Sequence, residues 1–344
     1  MYRQVFIKDF SQLGRNLKSF LNEEIAYLPL SSAIDDAFKK NPFFTMQMQL
    51  TSLDAIATNF LSKDALAVWT EPYAGLIEER DFCVSIVMAG NLPLVGFHDL
   101  LTVLASGRRA LVKMSCKDSS LLPAIMESLC SINHYWADRI TFTESLPENV
   151  EMIIATGGEK ASQYFKNIYS KVPGIIRGSK FSIAVITGRE SEEDLKRLGK
   201  DIFLYFGLGC RSVSSLLLPV DYELSKLTSA LSQFENYVKC DFYRAAYRYQ
   251  KAISTVSGEW FEDGGFFIYK RDTTTPPPLG VVGIYLYSDI KAIEKYFLIH
   301  NESIQCVVNY NYNNSYIEPG KSQYPVLEEY ADGINSLEFI LKNS

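Results

Sequence analysis

The sequence predicts an α/β protein with a doubly wound, parallel sheet, and two patterns carry that prediction. Apolar runs of strand length end at a glycine or a polar residue, as in 82–90 and 150–156. Each run is followed by a stretch with helical spacing, and such alternation is typical of parallel strands joined by right-handed crossovers. Because 344 residues are long for one simple core, we expect one large or two interleaved domains.

The elements follow in order along the chain. Residues 1–80 are predicted to be helical, since Phe10, Leu13 and Leu17 recur at helical spacing. Asn91 is expected to cap a helix that has Pro93 in its first turn. The predicted strands cover 82–90, 108–115, 150–156, 180–187, 213–219, 280–287 and 304–308, and the predicted helices cover 91–106, 118–131, 159–169, 191–206 and 290–298. We expect a turn-rich connector over 271–278, a long loop over 310–325 and partial helix over 326–341.

Charge and hydropathy exclude several classes of protein. The formal net charge is −6, and no block of Lys or Arg is present, which argues against a nucleic-acid binder. The longest uncharged run, 82–98, contains two glycines and a proline and is a poor membrane span. The first ten residues lack the layout of a signal peptide. We therefore expect a soluble protein of a reducing compartment, the cytoplasm.

The six cysteines form no CxxC pair and have no close histidine, so no metal site is expected. Cys210 differs from the others because it falls on a short loop, after Gly207-Leu-Gly209 and before a strand. Glycines let a ligand approach, and Arg211 could favour the thiolate, so Cys210 is a candidate nucleophile. The alternative is a buried loop cysteine that acts as a small hydrophobic residue.

Three further features could bind an anionic ligand, although no GxGxxG fingerprint is present. Thr156-Gly157-Gly158 lies where a strand turns into a helix, whose first N–H groups suit a phosphate. Lys113 ends a strand at the carboxyl edge of the sheet, where ligands bind in open α/β folds. Asn91 could donate its amide to an oxyanion. The plain alternatives are a tight turn, a surface lysine and a helix cap.

Together these pieces resemble the aldehyde dehydrogenase superfamily: Ala89-Gly-Asn91-Leu-Pro93, then Lys113, Thr156-Gly-Gly-Glu159 and Cys210. The segments GNLPLVGFHDLL, LVKMSCKDSSLLP, IATGGEKA, IIRGSKFSIAV and FGLGCRSVS resemble more closely the LuxC-like acyl-CoA reductases, the fatty-acid reductase family. The resemblance is strongest over 80–220, and the chain is shorter than typical long-chain members.

This resemblance implies an aldehyde dehydrogenase-like fold of two doubly wound α/β domains with parallel sheets. We expect N-terminal helices and a nicotinamide-cofactor domain over 1–182, and a catalytic cysteine domain over 183–310. Residues 311–344 would form a C-terminal loop and helix that could return to the first domain.

The resemblance also implies roles for individual residues. Cys210 would attack an acyl thioester, and Asn91 would supply an oxyanion donor together with the Cys210 backbone N–H. Lys113 and Ser115 would face the adenosine ribose of the cofactor. The turn of Thr156, Gly157 and Gly158 would lie near its pyrophosphate.

Three departures from the superfamily sharpen the expected reaction. The stretch Ile175-Ile-Arg-Gly-Ser-Lys180 lacks the glutamate general base of acid-forming members, which favours reduction to the aldehyde. No carboxylate closely follows Lys113, whereas Lys117 does follow, so NADP(H) is expected rather than NAD. The glutamate that holds the nicotinamide ribose is not evident in TTTPPPLGVVG.

The leading hypothesis is therefore an NADPH-dependent reductase of acyl-CoA or an acyl-carrier thioester. One alternative is an aldehyde dehydrogenase-like enzyme on another activated acyl group, such as an acyl phosphate. A second is a non-catalytic acyl-carrying or scaffold subunit. For the partners of this protein, two alternatives are open: a second copy of the chain in a homo-oligomer, or a partner subunit that is an acyl transferase or a synthetase.

Overall fold

The computed structural model describes residues 1–25, 27–271, 273, 275–311 and 315–344, and it divides into two compact units. The first unit consists of Met1–Ser179 and Pro325–Ser344, and the second unit is Lys180–Tyr324. The domain limits expected from the sequence are 182 and 310. The connector predicted over 271–278 and the loop over 310–325 lie partly outside the described residues.

The first unit begins with the predicted helices. Phe6, Phe10, Leu13 and Leu17 form one buried face of the first helix, because residues three and four apart lie on the same side of a helix. The helices of this unit are α1 (Tyr2–Leu21), α2 (Leu28–Lys40), α3 (Met46–Ala55), α4 (Lys63–Thr70), α5 (Phe97–Ala105), α6 (Leu121–Ile132), α7 (Glu159–Ile168) and, at the end of the chain, α12 (Ser336–Asn343).

The sheet of the first unit has five strands, all parallel, in the order β3-β2-β1-β4-β5. Its central strand is buried from Val84 to Val87, as expected for a strand covered on both faces. The strands are β1 (Cys83–Val87), β2 (Arg109–Lys113), β3 (Ile140–Thr143), β4 (Met152–Thr156) and β5 (Gly174–Arg177).

Strands β3 and β5 were not predicted from the sequence. Each has only four residues and lies at an edge of the sheet. An edge strand is covered less completely than a central one, and none of the four residues of β3 is buried. Such a segment lacks the continuous apolar run by which β1 and β4 were found.

The helix predicted from Asn91 to Ser106 is wrong in its first third. Residues 91–96 form bends and turns, and α5 begins at Phe97 with Gly96 as its N-cap. Leu94 has φ 60°, a left-handed conformation that a helix cannot contain. Asn91 is therefore not the cap of this helix.

Within the described residues of the second unit, six strands lie in the order β11-β6-β7-β10-β9-β8. The predicted α/β class is confirmed, with one difference in detail: β8 and β9 pair antiparallel, so this sheet is mixed. The remaining elements of this unit are β6 (Phe181–Val185), α8 (Glu192–Phe203), β7 (Val213–Pro219), α9 (Leu224–Leu231), α10 (Asp241–Ser257), β8 (Phe261–Asp263), β9 (Ile268–Arg271), β10 (Val281–Tyr287), α11 (Ile290–His300) and β11 (Ile304–Val308).

Two kinds of feature are absent from the described residues. Among them, no helix combines the length and the apolar character that a bilayer crossing requires. The same residues contain no group of three or more His, Cys, Asp or Glu side chains placed to hold a metal ion.

Candidate active site

Lys113 and Thr156 lie at the carboxyl edge of the first sheet. Strand β1 runs between β2 and β4, and Lys113 and Thr156 are the last residues of those two neighbours. In the register of the sheet, Lys113 lies opposite Val87, the end of β1. Because ligands of open parallel sheets bind outside the carboxyl ends of strands, this edge is a plausible binding surface.

Ser115 reaches the same edge by packing against Gly90. A Cβ atom on Gly90 would lie 2.2 Å from the Ser115 Oγ, so only glycine allows this approach. The Ser115 hydroxyl also accepts a hydrogen bond of 3.3 Å from the Lys117 N–H. The turn after β2 is thereby held beside the turn after β1.

The turn between β4 and α7 offers the start of a helix to a ligand. Gly158 is the N-cap of α7 and is exposed. Because it is a glycine, it has no side chain that could accept a hydrogen bond from the first N–H groups of the helix. A Cβ atom there would meet no atom within 4 Å, so the space outside the turn is open. The N–H of Gly157 donates to the Arg177 carbonyl at 3.3 Å, which holds the turn against β5. A helix N-terminus that faces open space suits an anion.

Arg177 supports that turn from within the unit. Its guanidinium Nη1 donates to both carboxylate oxygens of Asp99, at 2.9 and 2.8 Å, and to the Thr156 hydroxyl at 3.3 Å. Arg177 is buried, and a buried cation persists only where a carboxylate pairs with it. The positive charge behind the turn is thus largely compensated by Asp99.

Asn91 is exposed and lies in the bends that precede α5. The conformation of this segment depends on Asp118, whose Oδ2 accepts a hydrogen bond of 2.8 Å from the Leu94 N–H. The other oxygen of this carboxylate, Oδ1, is buried without a partner among the described residues. Burial raises the pKa of Asp118 to about 6. The hydrogen bond from the Leu94 N–H lowers this pKa and so opposes the effect of burial. Sequence reasoning missed this contact and placed Asp118 at the start of a helix.

Cys210 lies in the second unit, on the loop between α8 and β7, as predicted, and its side chain is exposed. The loop closes on itself around this residue. The Gly209 N–H donates to the Ser212 hydroxyl at 3.2 Å, and the Ser212 N–H donates to the Gly209 carbonyl at 3.0 Å. The thiol is therefore presented on a tight turn with a defined backbone.

The chain enters this loop through three consecutive left-handed residues. Tyr205, Phe206 and Gly207 have φ values of 56°, 55° and 73°. For the two aromatic residues this conformation costs roughly 1–2 kcal/mol each, so the surrounding packing must impose it. Phe206 packs its ring against Tyr237 and Tyr243, at centroid distances of 6.0 and 5.9 Å. Strain of this kind clusters at functional sites.

Residues 320–323, more than a hundred positions away in the chain, hold the Cys210 loop by side-chain contacts. Arg211 Nε donates to the Ser322 carbonyl at 2.5 Å, and Gln323 Nε2 donates to the Ser212 hydroxyl at 3.1 Å. The Arg211 side chain, which was expected to favour the thiolate of Cys210, thus donates a hydrogen bond to a backbone carbonyl.

Asp201 fixes the same segment from α8. Its carboxylate accepts hydrogen bonds from the Gly320 N–H at 2.5 Å and from the Ser322 N–H and hydroxyl at 2.8 and 2.7 Å. Burial raises the pKa of Asp201 to about 6, and these three donors act against the rise. No signal within the helix distinguishes Asp201, because its partners are distant in sequence.

The proposed site residues thus fall into two groups. Asn91, Lys113, Ser115, Thr156, Gly157 and Gly158 belong to the first unit. Cys210 belongs to the second.

Comparisons with known proteins bear on both units. The family model for the LuxC acyl-CoA reductases matches residues 64–235. A search of the curated proteins found no match.

Among solved structures, the chain is similar to aldehyde dehydrogenase 21 from Physcomitrella patens, with 12% identity, a TM-score of 0.68, and coverage of 99% of this chain and 84% of that one. It is also similar to an aldehyde dehydrogenase from Bacillus cereus, with 14% identity, a TM-score of 0.64, and coverage of 90% and 71%. A propionaldehyde dehydrogenase from Clostridium phytofermentans matches with 10% identity, a TM-score of 0.57, and coverage of 89% and 77%. These likenesses show that the chain has the aldehyde dehydrogenase fold.

Proposed function

Because the chain belongs to the LuxC acyl-CoA reductase family and has the aldehyde dehydrogenase fold, we propose that it reduces an acyl-CoA or acyl-carrier thioester to the aldehyde through Cys210. The observation that carries this proposal is the exposed Cys210 on a loop that side chains and strained backbone hold in one conformation. A nucleophile needs both access and a fixed direction of attack.

Cys210 would act as thiolate on the carbonyl carbon of the thioester. A bond forms between Sγ and that carbon, the carbon–sulfur bond to the CoA or carrier breaks, and the leaving thiolate takes a proton from solvent. Exchange of one thioester for another is nearly isoenergetic, so positioning rather than acid–base strength governs this step. Cys210 is released as thiolate when the reduced acyl group departs as aldehyde. Asn91 is the proposed oxyanion donor.

The second feature that supports reduction is that residues 175–180 contain no carboxylate. In the segment 175–180 the only ionisable side chains are those of Arg177 and Lys180, and Arg177 is paired with Asp99. Neither is a carboxylate that would activate water against the acyl group on Cys210. An acyl group on this thiol would therefore persist until it is reduced.

A nicotinamide cofactor fits the carboxyl edge of the first sheet. The open turn at Gly158 suits its pyrophosphate, and Lys113 and Ser115 lie at the edge proposed for its ribose. When bound, this cofactor would supply hydride. Aldehyde dehydrogenase from Bacillus cereus, one of the similar structures, was solved with NAD⁺.

We favour NADPH over NADH because of the residues after Lys113. The carboxylate closest in sequence, Asp118, has one oxygen on the Leu94 N–H and the other buried, so it is not presented to a ribose hydroxyl. Lys117 is exposed on the same turn and would pair with a 2′-phosphate. Lys117→Ala should raise the KM for NADPH about tenfold and leave the KM for NADH within about twofold. Equal effects on both cofactors would contradict this assignment.

The central experiment uses a radiolabelled acyl-CoA without cofactor. The wild-type protein should retain label that hydroxylamine releases, as expected for a thioester, and Cys210→Ala should retain none. Cys116→Ala is the matched control, because Cys116 is the exposed cysteine of the first unit. Label that persists in Cys210→Ala would overturn the proposal, and oxidation of NADPH with acyl phosphates but not acyl thioesters would change the substrate class.

A further inference from the structure

Ser182, on β6, contacts the backbone carbonyl of Cys210, the proposed nucleophile. Its hydroxyl donates to the Cys210 carbonyl at 2.8 Å and accepts from the Cys306 N–H at 3.2 Å. The same oxygen lies 2.9 Å from the Cys306 Sγ. Ser182 and Cys306 are both buried, at 0% and 7% exposure, so water does not compete for these contacts.

The two strands that flank β6 are both irregular at this serine. Along β11, Ile304 pairs with Phe181 and Val307 with Ile183, so two residues of β11 stand opposite Ser182 alone. Along β7, Val213 pairs with Ser182 and Ser215 with Ile183, which leaves Ser214 as an extra residue. Such bulges redirect side chains and are frequent beside active sites. Here they occur on both sides of one residue.

The protons at this cluster can be assigned from chemistry. A serine hydroxyl has one proton and two lone pairs. The Ser182 hydroxyl proton forms the hydrogen bond to the Cys210 carbonyl. The two lone pairs therefore accept hydrogen bonds from the N–H and the thiol of Cys306. The Cys306 Sγ also lies 3.9 Å from the Arg211 carbonyl. This thiol must stay protonated to fill the role, and burial raises the pKa of Cys306 to about 11.

We propose that Ser182 is a positioning residue that, with Cys306, holds the Cys210 carbonyl toward the sheet and thereby aims the Cys210 thiol. This inference rests on the proposed function of Cys210 as nucleophile. The C=O and the following N–H of a trans peptide point in opposite directions, so the bond to Ser182 also sets the direction of the Arg211 N–H. A carbonyl held in this way restricts ψ of Cys210, and with it the direction of the Cα–Cβ bond that carries the thiol.

The test measures the Cys210 loop and the acyl transfer separately. In Ser182→Ala, amide hydrogen exchange in peptides that cover 207–213 should be at least about tenfold faster than in wild type, because the loop has lost one anchor. The maximum rate of Cys210 acylation should fall about tenfold, with half-saturating acyl-CoA within about twofold. Alkylation of Cys210 by free iodoacetamide should stay within about twofold, because that small reagent needs no aimed thiol.

Two further variants complete the test. Ser215→Ala removes another buried serine hydroxyl from the same sheet and should change none of these rates. Ser182→Thr keeps the hydroxyl and should restore the slow exchange.

Wild-type exchange over 207–213 in Ser182→Ala would overturn the inference whatever the catalytic activity. The absence of acyl label in wild type would instead overturn the proposed function. Should Ser182→Ala not fold, Cys306→Ala tests the same cluster by removing a thiol donor, and unchanged loop exchange in that variant would likewise overturn the inference.

Discussion

The two groups of candidate residues are built in different ways. At the carboxyl edge of the first sheet, Gly90 lets Ser115 pack closely, and Gly158 leaves the space outside its turn open. The Cys210 loop is instead anchored by side chains, among them Ser182 and Arg211. Peptide N–H groups at a helix start can hold phosphate oxygens, so a cofactor edge needs little more than the right turn. A nucleophile must point in one direction, and that requires many contacts.

The largest effect on stability is expected in the second unit, at Asp201. Since burial raises its pKa to about 6, the folded protein binds the Asp201 proton more tightly than the unfolded chain does. Its contribution to stability is therefore complete below about pH 4 and is lost as the pH rises through about 6. Between pH 4 and 7 this loss amounts to roughly 2.5 kcal/mol, and Asp201→Asn should remove that part of the pH dependence.

Urea unfolding at several pH values measures this difference. The exposed Asp221 supplies the control Asp221→Asn, which should keep the wild-type pH dependence. Parallel curves for wild type and Asp201→Asn would contradict the expected titration of the clamp on residues 320–322.

The next effect is expected in the first unit, at Gly90. An added methyl group would lie 2.2 Å from the Ser115 Oγ, so Gly90→Ala must displace the turn after β2. We expect a loss of about 2 kcal/mol in the free energy of unfolding, together with weaker cofactor binding. Gly75→Ala is the control, since a Cβ there meets nothing within 4 Å. Normal NADPH titration by Gly90→Ala would show that this edge does not hold the cofactor.

A smaller effect of opposite sign is expected at Asp118. Its pKa is also raised to about 6 by burial, but only one of its oxygens has a hydrogen-bond donor among the described residues. At pH 7 the buried charge is a cost, and the buried amide of an asparagine would offset part of the gain from removing it. Asp118→Asn should therefore raise the free energy of unfolding by about 1 kcal/mol. Thermal unfolding at pH 7 and pH 4.5 checks this, and the gain should vanish at the lower pH. A destabilised variant at pH 7 would mean that the carboxylate has a favourable partner.

The smallest effect on stability is expected at Gly158. Its φ of −67° is open to any residue and its Cβ position is empty, so Gly158→Ala should leave the unfolding free energy within about 0.5 kcal/mol. The added methyl group would nevertheless occupy space proposed for the pyrophosphate. NADPH titration should show affinity weaker by about threefold to tenfold. Unaltered affinity would move the proposed pyrophosphate site away from this turn.

Much of the fold could be predicted because its signals are local. The apolar run of β1 and the helical spacing of Phe10, Leu13 and Leu17 in α1 each lie within a short window, and both are confirmed. The prediction that Asn91 caps a helix was wrong because the conformation there depends on a contact between residues distant in sequence. Leu94 adopts a positive φ and donates to Asp118, 24 residues away, and nothing near Asn91 shows this.

The position of Cys210 on a loop before β7 was likewise a local signal, since glycines precede it and an apolar strand follows. Its anchors were not local. Ser182 contacts Cys210 from 28 residues away, and Ser322 contacts Arg211 from 111 residues away. Serine and aspartate occur throughout the chain, so no pattern separates these from the others.

The α/β class, the alternation of strands and helices, the family and the position of Cys210 on a glycine-rich loop could all be predicted from the sequence. Hydrophobic periodicity and glycine placement decide such features within short windows. The tertiary structure alone decided how Cys210 is held, which carboxyl groups are buried, and where α5 begins. Hydrogen bonds between distant residues exist only after the sheet has assembled, because its registers and bulges bring Ser182 and Cys306 together.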